Sequence, residues 1–382
     1  MTIEHILQSI PLTPPSTFKP INAAYVLKEK PSKRKVLFGN IPLGVPALLV
    51  AQGGMGKGFC YADFALSLSS NTSIFNGAFE VESSGRTLIF SAEDAIEELH
   101  SRLHYVGETK FGSNFIGAHK KLHPLNKDKN QADKIELFCP KGNCCHLIDD
   151  SGETTLLAED FIEYLRNEKG FSLIVIDTIR RVMPGDENDS KAASHIVAFL
   201  GKLAEVSGAT VLGIHHMSKS GSHSGTPDQN AARGSSALTD GVRLQLNLNN
   251  VPSKLLSKHG IPKEQHKLYL ELSVTKNNYG PPQPEMVVLK RGEHGVLTHV
   301  DFGNQKSATF NQQLISVLAG LEVPAKKSEF ITKYSGKNGK FNMSESALRE
   351  AVNKAIEDKI IIYESIGSNG SGRKAGVLKV HK

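Results

Sequence analysis

Cysteine is scarce in this sequence, and a long apolar run is absent. Only four of the 382 residues are cysteines, and Cys144 and Cys145 are adjacent, so the pattern does not predict a disulfide framework. No segment approaches the run of about 20 apolar residues that a membrane-spanning helix needs. The first residues include Glu4 and lack the charged-then-apolar pattern of an export signal. These absences predict a cytoplasmic protein with no membrane partner.

The net charge is also small, +6, but it is unevenly distributed. Residues 307–382 contain twelve Lys or Arg and seven Asp or Glu, an excess of five, so residues 1–306 carry the remaining one. A basic segment beside a near-neutral one predicts a polyanionic partner for the basic segment. A solvated lysine-rich surface explains the same charge equally well.

The residues before 304 divide into an arm and a large domain. Five prolines punctuate residues 1–40, which we interpret as an arm or packing segment without its own core. In residues 41–303, short apolar runs alternate with helical patterns, which predicts an α/β domain with a mainly parallel sheet and helices on both faces. Residues 109–155 are polar and interrupt the pattern.

The predicted elements of this domain are as follows. Strands are expected at 47–50, 87–91, 173–176 and 210–214, and helices at 59–68, 96–105, 156–165 and 192–206. Four later apolar runs are expected to extend the sheet in antiparallel fashion, at 242–248, 268–274, 286–290 and 296–300.

Residues 304–382 form a second, basic domain with the element order of a winged helix. Three helical segments are followed by two strand-like runs, at 311–319, 328–334, 344–358, 360–363 and 375–380. In such modules the third helix usually enters the major groove of DNA, and we expect the wing to contact the backbone. The candidate contacts are Arg349, Lys354, Arg373 and Lys374. Glu345 and Glu350 on the same helix weaken a groove-reading role, and docking to a protein is the alternative.

A glycine-rich loop follows the first apolar run and resembles a P-loop in part. The P-loop consensus has glycine where Ala51 stands and Ser or Thr where Gly58 stands. Amides of such a loop can point at phosphate oxygens, and Lys57 can reach the β- and γ-phosphates. The alternative is a glycine-rich turn without function. The predicted nucleotide-binding residues are Gln52, Gly53, Gly54, Met55, Gly56, Lys57, Gly58 and Phe59.

Two further apolar runs end in acidic residues. Asp177 follows 173–176, and a carboxylate at the end of a strand beside a phosphate loop can hold Mg²⁺ directly or through water. Glu93 and Asp94 follow 87–91, and we assign Glu93 the role of general base for an attacking water, with Asp94 as the alternative. The two acids also resemble the N-terminal cap of the next helix.

Two histidines and two cations complete the candidate site. His215 and His216 follow the run 210–214, where a histidine can sense the γ-phosphate or form a structural pair. Arg233 follows a loop rich in Ser and Gly, and an arginine on such an edge suits a finger that acts on a neighbouring subunit's nucleotide. Lys276 is expected to assist in nucleotide binding from the end of the next strand. A surface ion pair is the alternative for both cations.

Taken in order, these motifs resemble the RepA-type hexameric replicative helicases, ATPases of the RecA/DnaB class from plasmids and mobile elements. The motifs are Gly-Gly-Met-Gly-Lys, Phe-Ser-Ala-Glu-Asp with Arg102-Leu103-His104, Val-Ile-Asp-Thr, His-His-x-Ser-Lys, Arg-Gly-Ser-Ser-Ala-Leu-Thr-Asp and Thr-Lys-Asn-Asn-Tyr-Gly. The resemblance covers residues 40–300. It implies a RecA-like fold, a ring with ATP at subunit interfaces, and movement along single-stranded DNA.

The resemblance also implies a role for individual residues. It places Lys57 on the phosphates, Asp177 near Mg²⁺, Glu93 as base, His216 or His215 as sensor and Arg233 as the finger in trans. It places two loops, 184–194 and 218–232, in the ring channel, where Lys191, Lys219 and His223 would contact the DNA backbone. Gly58 departs from the family pattern of Ser or Thr, and the resemblance does not extend to the basic domain.

The function that we expect from the sequence is an ATP-hydrolysing, ring-forming DNA helicase or translocase for replication of a plasmid, phage or other mobile element. Its expected cofactors are ATP and Mg²⁺. Its expected partners are single-stranded DNA, other copies of the chain in a hexamer, and duplex origin DNA or a replication protein at the basic domain. The alternative is an ATP-binding, DNA-binding replication regulator or helicase loader with weak or no turnover.

Overall fold

The chain divides into two compact units, Met1–Val300 and Asp301–Lys382, and each has its own apolar core. The sequence places the boundary three residues later, after residue 303. The computed structural model describes residues 20–28, 30–112, 134–140, 145–185, 189–216, 236–280, 287–321, 323–336, 339–366 and 375–380.

The first unit is built on a sheet that has nine strands within the described residues. In chain order they are β1 Pro46–Ala51, β2 Arg86–Ser91, β3 Ile135–Phe138, β4 Phe171–Asp177, β5 Thr210–His216, β6 Leu244–Asn250, β7 Tyr269–Asn277, β8 Val287–Arg291 and β9 Leu297–His299. Their order across the sheet is β3-β2-β4-β5-β1-β6-β7-β8-β9. The strands from β3 to β6 in this order pair in parallel, and β7, β8 and β9 continue in antiparallel fashion.

Helices connect and cover the strands of this unit. They are α1 Ala23–Val26, α2 Lys57–Ser70, α3 Ile96–Phe111, α4 Leu156–Asn167, α5 Ile179–Val182, α6 Ser190–Ser207, α7 Ser236–Gly241 and α8 Ser253–Lys258. Short 3-10 turns lie at Lys263–Leu268 and Glu293–Gly295. Among the residues that the structure describes, no helix combines the length and the hydropathy that crossing a membrane requires.

Apolar residues on both faces of the central strands explain why the sheet is covered on both sides. Leu48 and Ile174 pack into one core with α4 and α6, whereas Leu49 and Val175, one residue further along each strand, pack into the other with α2 and α3. Successive side chains of a strand point to opposite faces, so a continuous apolar run indicates burial on both. The predicted α/β class, with a mainly parallel sheet covered by helices on both faces, is confirmed.

Two features of the sheet differ from the sequence-based expectation. The run at 242–248 is expected to start the antiparallel extension, but β6 pairs in parallel with β1, and only β7 reverses the direction. Strand β3 lies in the polar stretch 109–155, where the sequence predicts no strand. It is an edge strand of only four residues, Ile135–Phe138, and although three of them are apolar, so short a run inside a polar stretch gives no clear strand signal.

A buried ion pair joins α2 to α3. The Nζ of Lys110 lies 3.1 Å from Oδ2 of Asp63, and both side chains are 3% exposed. Lys110 also donates to the carbonyl of Ser73, and Asp63 accepts from the amide of Phe75. Burial raises the pKa of Asp63, and the charge of Lys110 partly offsets this effect. The pair therefore fixes α3 against the helix that begins at Lys57.

The second unit contains three helices and a small sheet among its described residues. The elements are α9 Phe302–Ala319, β10 Ala325–Lys326, α10 Lys327–Tyr334, α11 Glu345–Glu357, β11 Ile361–Ile366 and β12 Ala375–Val380, with strand order β10-β12-β11. Leu314, Phe330, Leu348 and Leu378 lie in its separate core. Three helices precede a hairpin, as expected, but the first helix begins nine residues earlier than predicted. Residues 367–374, which include the predicted wing contacts Arg373 and Lys374, lie outside the described residues.

We expect Lys110→Met to lower the free energy of unfolding by about 3 kcal/mol, because it leaves the buried carboxylate of Asp63 without its partner. Urea denaturation measures the change. Arg166→Met is the matched control, since it removes an exposed ion pair with Glu163 and should cost less than about 1 kcal/mol. Equal losses for the two variants would show that the buried pair does not stabilise the fold.

Candidate active site

Parallel pairing brings several candidate site residues to one edge of the sheet. Ala51 at the end of β1 pairs with His216 at the end of β5, and Ser91 at the end of β2 pairs with Asp177 at the end of β4. Because parallel strands end at the same edge, the glycine loop after β1 and the acidic turn after β2 lie there as well. The predicted site residues of four different strands thus converge.

The glycine loop between β1 and α2 depends on two residues with positive φ. Gly54 has φ +74° and Gly56 has φ +98°, a region that L side chains rarely adopt. Gly56 is the N-cap of α2, so the first amides of that helix open toward the loop. Ala51, by contrast, is a paired residue of β1. The first departure from the P-loop consensus therefore falls in a strand and leaves the curve of the loop intact.

Lys57 lies folded against this loop. Its Nζ donates to the carbonyls of Ala51 and Gln52, at 3.1 Å each, and lies 3.4 Å from Nδ1 of His216. Burial lowers the pKa of Lys57, and the charges of Asp177 and Glu93 oppose the change. The ammonium is thus held at the loop by neutral carbonyls, for which a phosphate group would be a stronger acceptor.

Asp177 ends β4 in a buried position. Its side chain accepts a 2.8 Å hydrogen bond from the hydroxyl of Tyr61 at Oδ2, and the residue is 5% exposed. Burial raises the pKa of Asp177 to about 6; the bond from Tyr61 lowers it, and the charges of Glu93 and Asp94 raise it. The peptide bond to Thr178 is cis. A carboxyl group with such a pKa can change its charge when a cation or phosphate arrives.

The two acids after β2 have different surroundings. Asp94 forms an ion pair with Arg102, with Oδ2 2.6 Å from Nη1, and its backbone amide and carbonyl both bond to the hydroxyl of Ser91. Glu93 is exposed, and its charge acts on both Lys57 and Asp177. Asp94 is thus held by an ion pair and by two hydrogen bonds of its backbone. Glu93 is the better candidate for the general base, because its side chain is exposed.

The two histidines of β5 also differ in exposure and surroundings. His215 is 1% exposed, whereas His216 is partly exposed and lies beside Lys57. Successive residues of a strand point to opposite faces, which explains the difference. Of the pair that the sequence offers as sensor, the structure brings His216 to the loop.

Other predicted residues lie elsewhere or outside the described residues. Lys276 on β7 donates to the carbonyls of Thr239 and Asp240, both at 2.8 Å, near the end of α7. Lys191 is exposed in the first turn of α6, and Lys354 is exposed on α11, where Arg349 pairs with Glu345 at 2.9 Å. Outside the described residues are Arg233, Lys219, His223, Arg373 and Lys374.

Three residues at the site have no role in the sequence-based prediction. Tyr61 is one helical turn after Lys57 on α2, a spacing that places it on the same face. Arg102 on α3 donates from Nη1 to the hydroxyl of Tyr61 (3.2 Å) as well as to Asp94. Arg291 on β8 donates to the carbonyl of Gly54 at 3.0 Å across 237 residues of sequence, a distance that no local pattern reveals.

The residues fit a bound Mg²⁺ only in part. Asp177 supplies one carboxylate at the expected place. Gly58 supplies no hydroxyl, and a Cβ at this position would lie 2.6 Å from Nη1 of Arg102. In the described part of the chain, no group of three or more His, Cys, Asp or Glu is placed to hold a metal ion. The protein-derived ligand set of a P-loop is therefore incomplete.

A family model described as an AAA domain matches residues 13–222, more than half of the chain. The chain belongs to this AAA domain family. The match includes the glycine loop, both acidic strand ends and the two histidines, so this AAA domain is a P-loop ATPase domain. RepA-type membership is a finer statement, and it stays a prediction.

Solved structures are similar to the AAA-domain chain at low identity. One of them, described as an ATPase domain, is 17% identical, with 67% of this chain and 85% of that chain covered and a TM-score of 0.46. A DnaB-like replicative helicase, solved to show its interactions with primase, is 16% identical, with 68% and 58% covered and a TM-score of 0.46. This chain thus spans less than two thirds of the second structure's length.

We expect Asp177→Asn to raise the free energy of unfolding by roughly 2 kcal/mol at pH 8, because a raised pKa means that the folded state disfavours the ionised carboxyl. The gain should shrink as pH falls through about 6 and vanish below about 4, where the wild-type carboxyl is neutral in both states. Urea denaturation at pH 8 and at pH 4 measures this gain in stability. Asp160→Asn, at an exposed site on α4, is the control.

A loss of stability for Asp177→Asn at pH 8, equal to its effect at pH 4, would show that the carboxylate of Asp177 is not disfavoured by its surroundings. A gain in stability together with a loss of nucleotide hydrolysis would mark Asp177 as a residue retained for function.

Proposed function

We propose that this AAA-domain chain is an ATP-hydrolysing, ring-forming DNA helicase or translocase of the RepA type that serves replication of a plasmid, phage or other mobile element. The observation that carries the proposal is the convergence of Lys57, Asp177, His216 and Glu93 around the glycine loop. Each residue type at this place suits one task in the hydrolysis of a nucleoside triphosphate.

The proposed reaction is attack of water on the γ-phosphorus of ATP. The bond between this phosphorus and the oxygen that bridges to the β-phosphate breaks, and Glu93 accepts a proton from the water. Lys57 exchanges the carbonyls of Ala51 and Gln52 for phosphate oxygens. The amides of the glycine loop donate hydrogen bonds to the other phosphate oxygens. Mg²⁺, when bound with ATP, offsets phosphate charge, and Asp177 is the residue that would hold it through water.

His216 links the site to the next part of the chain. It lies beside Lys57, and β5 ends at this residue, directly before the sequence segment that contains Lys219 and His223. We propose that His216 senses the γ-phosphate and that its contact is lost on hydrolysis. Arg233, which follows the same segment in the sequence, is proposed to reach the nucleotide of a neighbouring copy in a hexamer.

Single-stranded DNA is the proposed substrate for movement. Lys191 is exposed in the first turn of α6, close in sequence to the end of β4 at Asp177. A backbone-tracking groove uses such cations without reading sequence. The resemblance of the motifs to RepA-type helicases supports a channel formed by Lys191, Lys219 and His223.

We propose that the second unit is a winged-helix-like module that binds duplex origin DNA, with docking to a replication protein as the alternative. Its helices and hairpin follow the expected order, and its sequence is basic. Arg349 and Lys354 are exposed on α11. The pairing of Arg349 with Glu345 favours a backbone contact over base reading.

The second candidate function is an ATP-binding regulator or helicase loader with weak or no turnover. One observation favours it: Gly58 provides no hydroxyl, and the guanidinium of Arg102 lies where that side chain would be. Measured turnover separates the two functions.

We expect the full-length protein to hydrolyse ATP in the presence of Mg²⁺ and to do so faster with single-stranded DNA. Lys57→Ala should lower the rate at least about 100-fold, and Glu93→Gln about 100- to 10,000-fold, because they remove charge stabilisation and the base. Lys202→Ala, at an exposed position of α6, is the control. Phosphate release and strand-separation assays measure both activities.

No turnover with Mg²⁺ and DNA would reject the enzyme and favour the regulator. Turnover without strand separation would favour the loader. Loss in Lys57→Ala with full activity in Glu93→Gln would reject only the assignment of the base.

For the second unit, we expect the double substitution Arg349→Gln and Lys354→Gln to weaken binding of duplex DNA. The logarithm of the affinity falls as the logarithm of the salt concentration rises, and removing two phosphate contacts should make this slope shallower by about 2. Lys254→Gln with Lys258→Gln on α8 removes the same charge from exposed positions and is the control. Equal effects of the two double variants would show that net charge, rather than a site on α11, governs binding.

A further inference from the structure

We propose that Arg102 and Gly58 together form a phosphate-binding position in which a guanidinium replaces the Mg²⁺-binding hydroxyl of a P-loop. Nucleoside triphosphate would then bind to this site without a divalent cation. The inference rests on the proposed ATP site and adds the residue that distinguishes it from an ordinary P-loop.

The space at Gly58 is filled by a side chain from another helix. A Cβ at this position would lie 2.6 Å from Nη1, 2.7 Å from Cζ and 2.8 Å from Nε of Arg102. Gly58 is the second residue of α2 and is not among the residues with positive φ, so its backbone does not require glycine. The guanidinium accounts for glycine at this position, and a serine there would collide with it.

Arg102 is held in this place from several sides. Its Nη1 donates to Oδ2 of Asp94 at 2.6 Å and to the hydroxyl of Tyr61 at 3.2 Å, and its side chain is 19% exposed. The buried Asp63–Lys110 pair fixes α3 against α2. Moving the guanidinium aside would therefore break a charge-assisted bond as well as local packing.

The fixed guanidinium keeps donors for an anion. In the described part of the chain, the hydrogen bonds of Arg102 with Tyr61 and Asp94 both use Nη1, which leaves Nε and Nη2 for another acceptor. Nε is also near the first turn of α2, where helix amides lack intrahelical partners. A guanidinium presents such donors in the fork geometry that suits phosphate oxygens.

The same arrangement links the proposed phosphate position to the end of β4. Arg102 contacts the hydroxyl of Tyr61, which in turn donates to Asp177. With Lys57 on the loop, the protein thus supplies two cationic groups at this end of the sheet, and Asp94 offsets the charge of one of them, Arg102. In an ordinary P-loop the hydroxyl holds a metal cation instead, so we infer that binding here depends less on the metal.

The test is equilibrium binding of a fluorescent ATP analogue to the full-length protein, in Mg²⁺ and in EDTA. For the wild type we expect dissociation constants within about threefold of each other, because Lys57 and the donors of Arg102 would hold the phosphate oxygens in place of a metal ion. Arg102→Gln should weaken binding at least about tenfold in EDTA and less in Mg²⁺. Lys202→Gln is the control.

Two substitutions at Gly58 sharpen the test and add no helix-breaking residue. Gly58→Ala displaces the guanidinium without adding a hydroxyl, so it should weaken binding about tenfold in EDTA with little rescue by Mg²⁺. Gly58→Ser displaces it and adds the hydroxyl, so Mg²⁺ should restore binding. This pair keeps the proposal testable if Arg102→Gln does not fold.

The outcomes separate the inference from the proposed function. Wild-type binding in Mg²⁺ but not in EDTA would overturn the inference and leave the ATP site standing. No wild-type binding in either condition would overturn the proposed function itself. Equal losses in both conditions for Arg102→Gln, or no difference between Gly58→Ala and Gly58→Ser, would assign Arg102 a structural role only and overturn the inference.

Discussion

Parallel pairing of β1 with β5, and of β4 with β2, is the constraint on which the rest of this structure depends. It brings the ends of four strands to one edge of the sheet. The central strands pair parallel because they are apolar on both faces and are covered by helices from both sides. Burial of the strands therefore brings together polar residues that lie far apart in sequence, such as Lys57 and His216.

The two departures from the P-loop consensus have separate physical explanations. Ala51 belongs to β1, where a regular strand needs no glycine. Gly58 gives room to Arg102, which is tied to Asp94 and, through Tyr61, to the end of β4. A loop that looks eroded in the sequence is thus a closely packed part of the site. Whether the protein is an ATPase or a regulator therefore depends on how this site, with Arg102 in place of a hydroxyl at Gly58, binds the nucleotide.

The sequence predicts the parts of the molecule that carry a local signal. The central strands and long helices follow from apolar periodicity, and Lys57 and Asp177 from their places after apolar runs. The sequence does not predict the edge strand β3 because its four residues are a short run within a polar stretch, and the parallel direction of β6 depends on its partner β1. Nor does the sequence predict the role of Arg291, because the residue that it contacts in the loop, Gly54, is 237 positions away.

The central claim is that the loop after β1 holds a triphosphate through Lys57. A high-resolution structure of the full-length protein with a non-hydrolysable ATP analogue tests it most directly. The account predicts phosphate oxygens on the amides of the loop, with Nζ of Lys57 moved from the carbonyls of Ala51 and Gln52 onto a phosphate. An analogue bound elsewhere, or a Lys57 that keeps both carbonyl bonds in the complex, would contradict it.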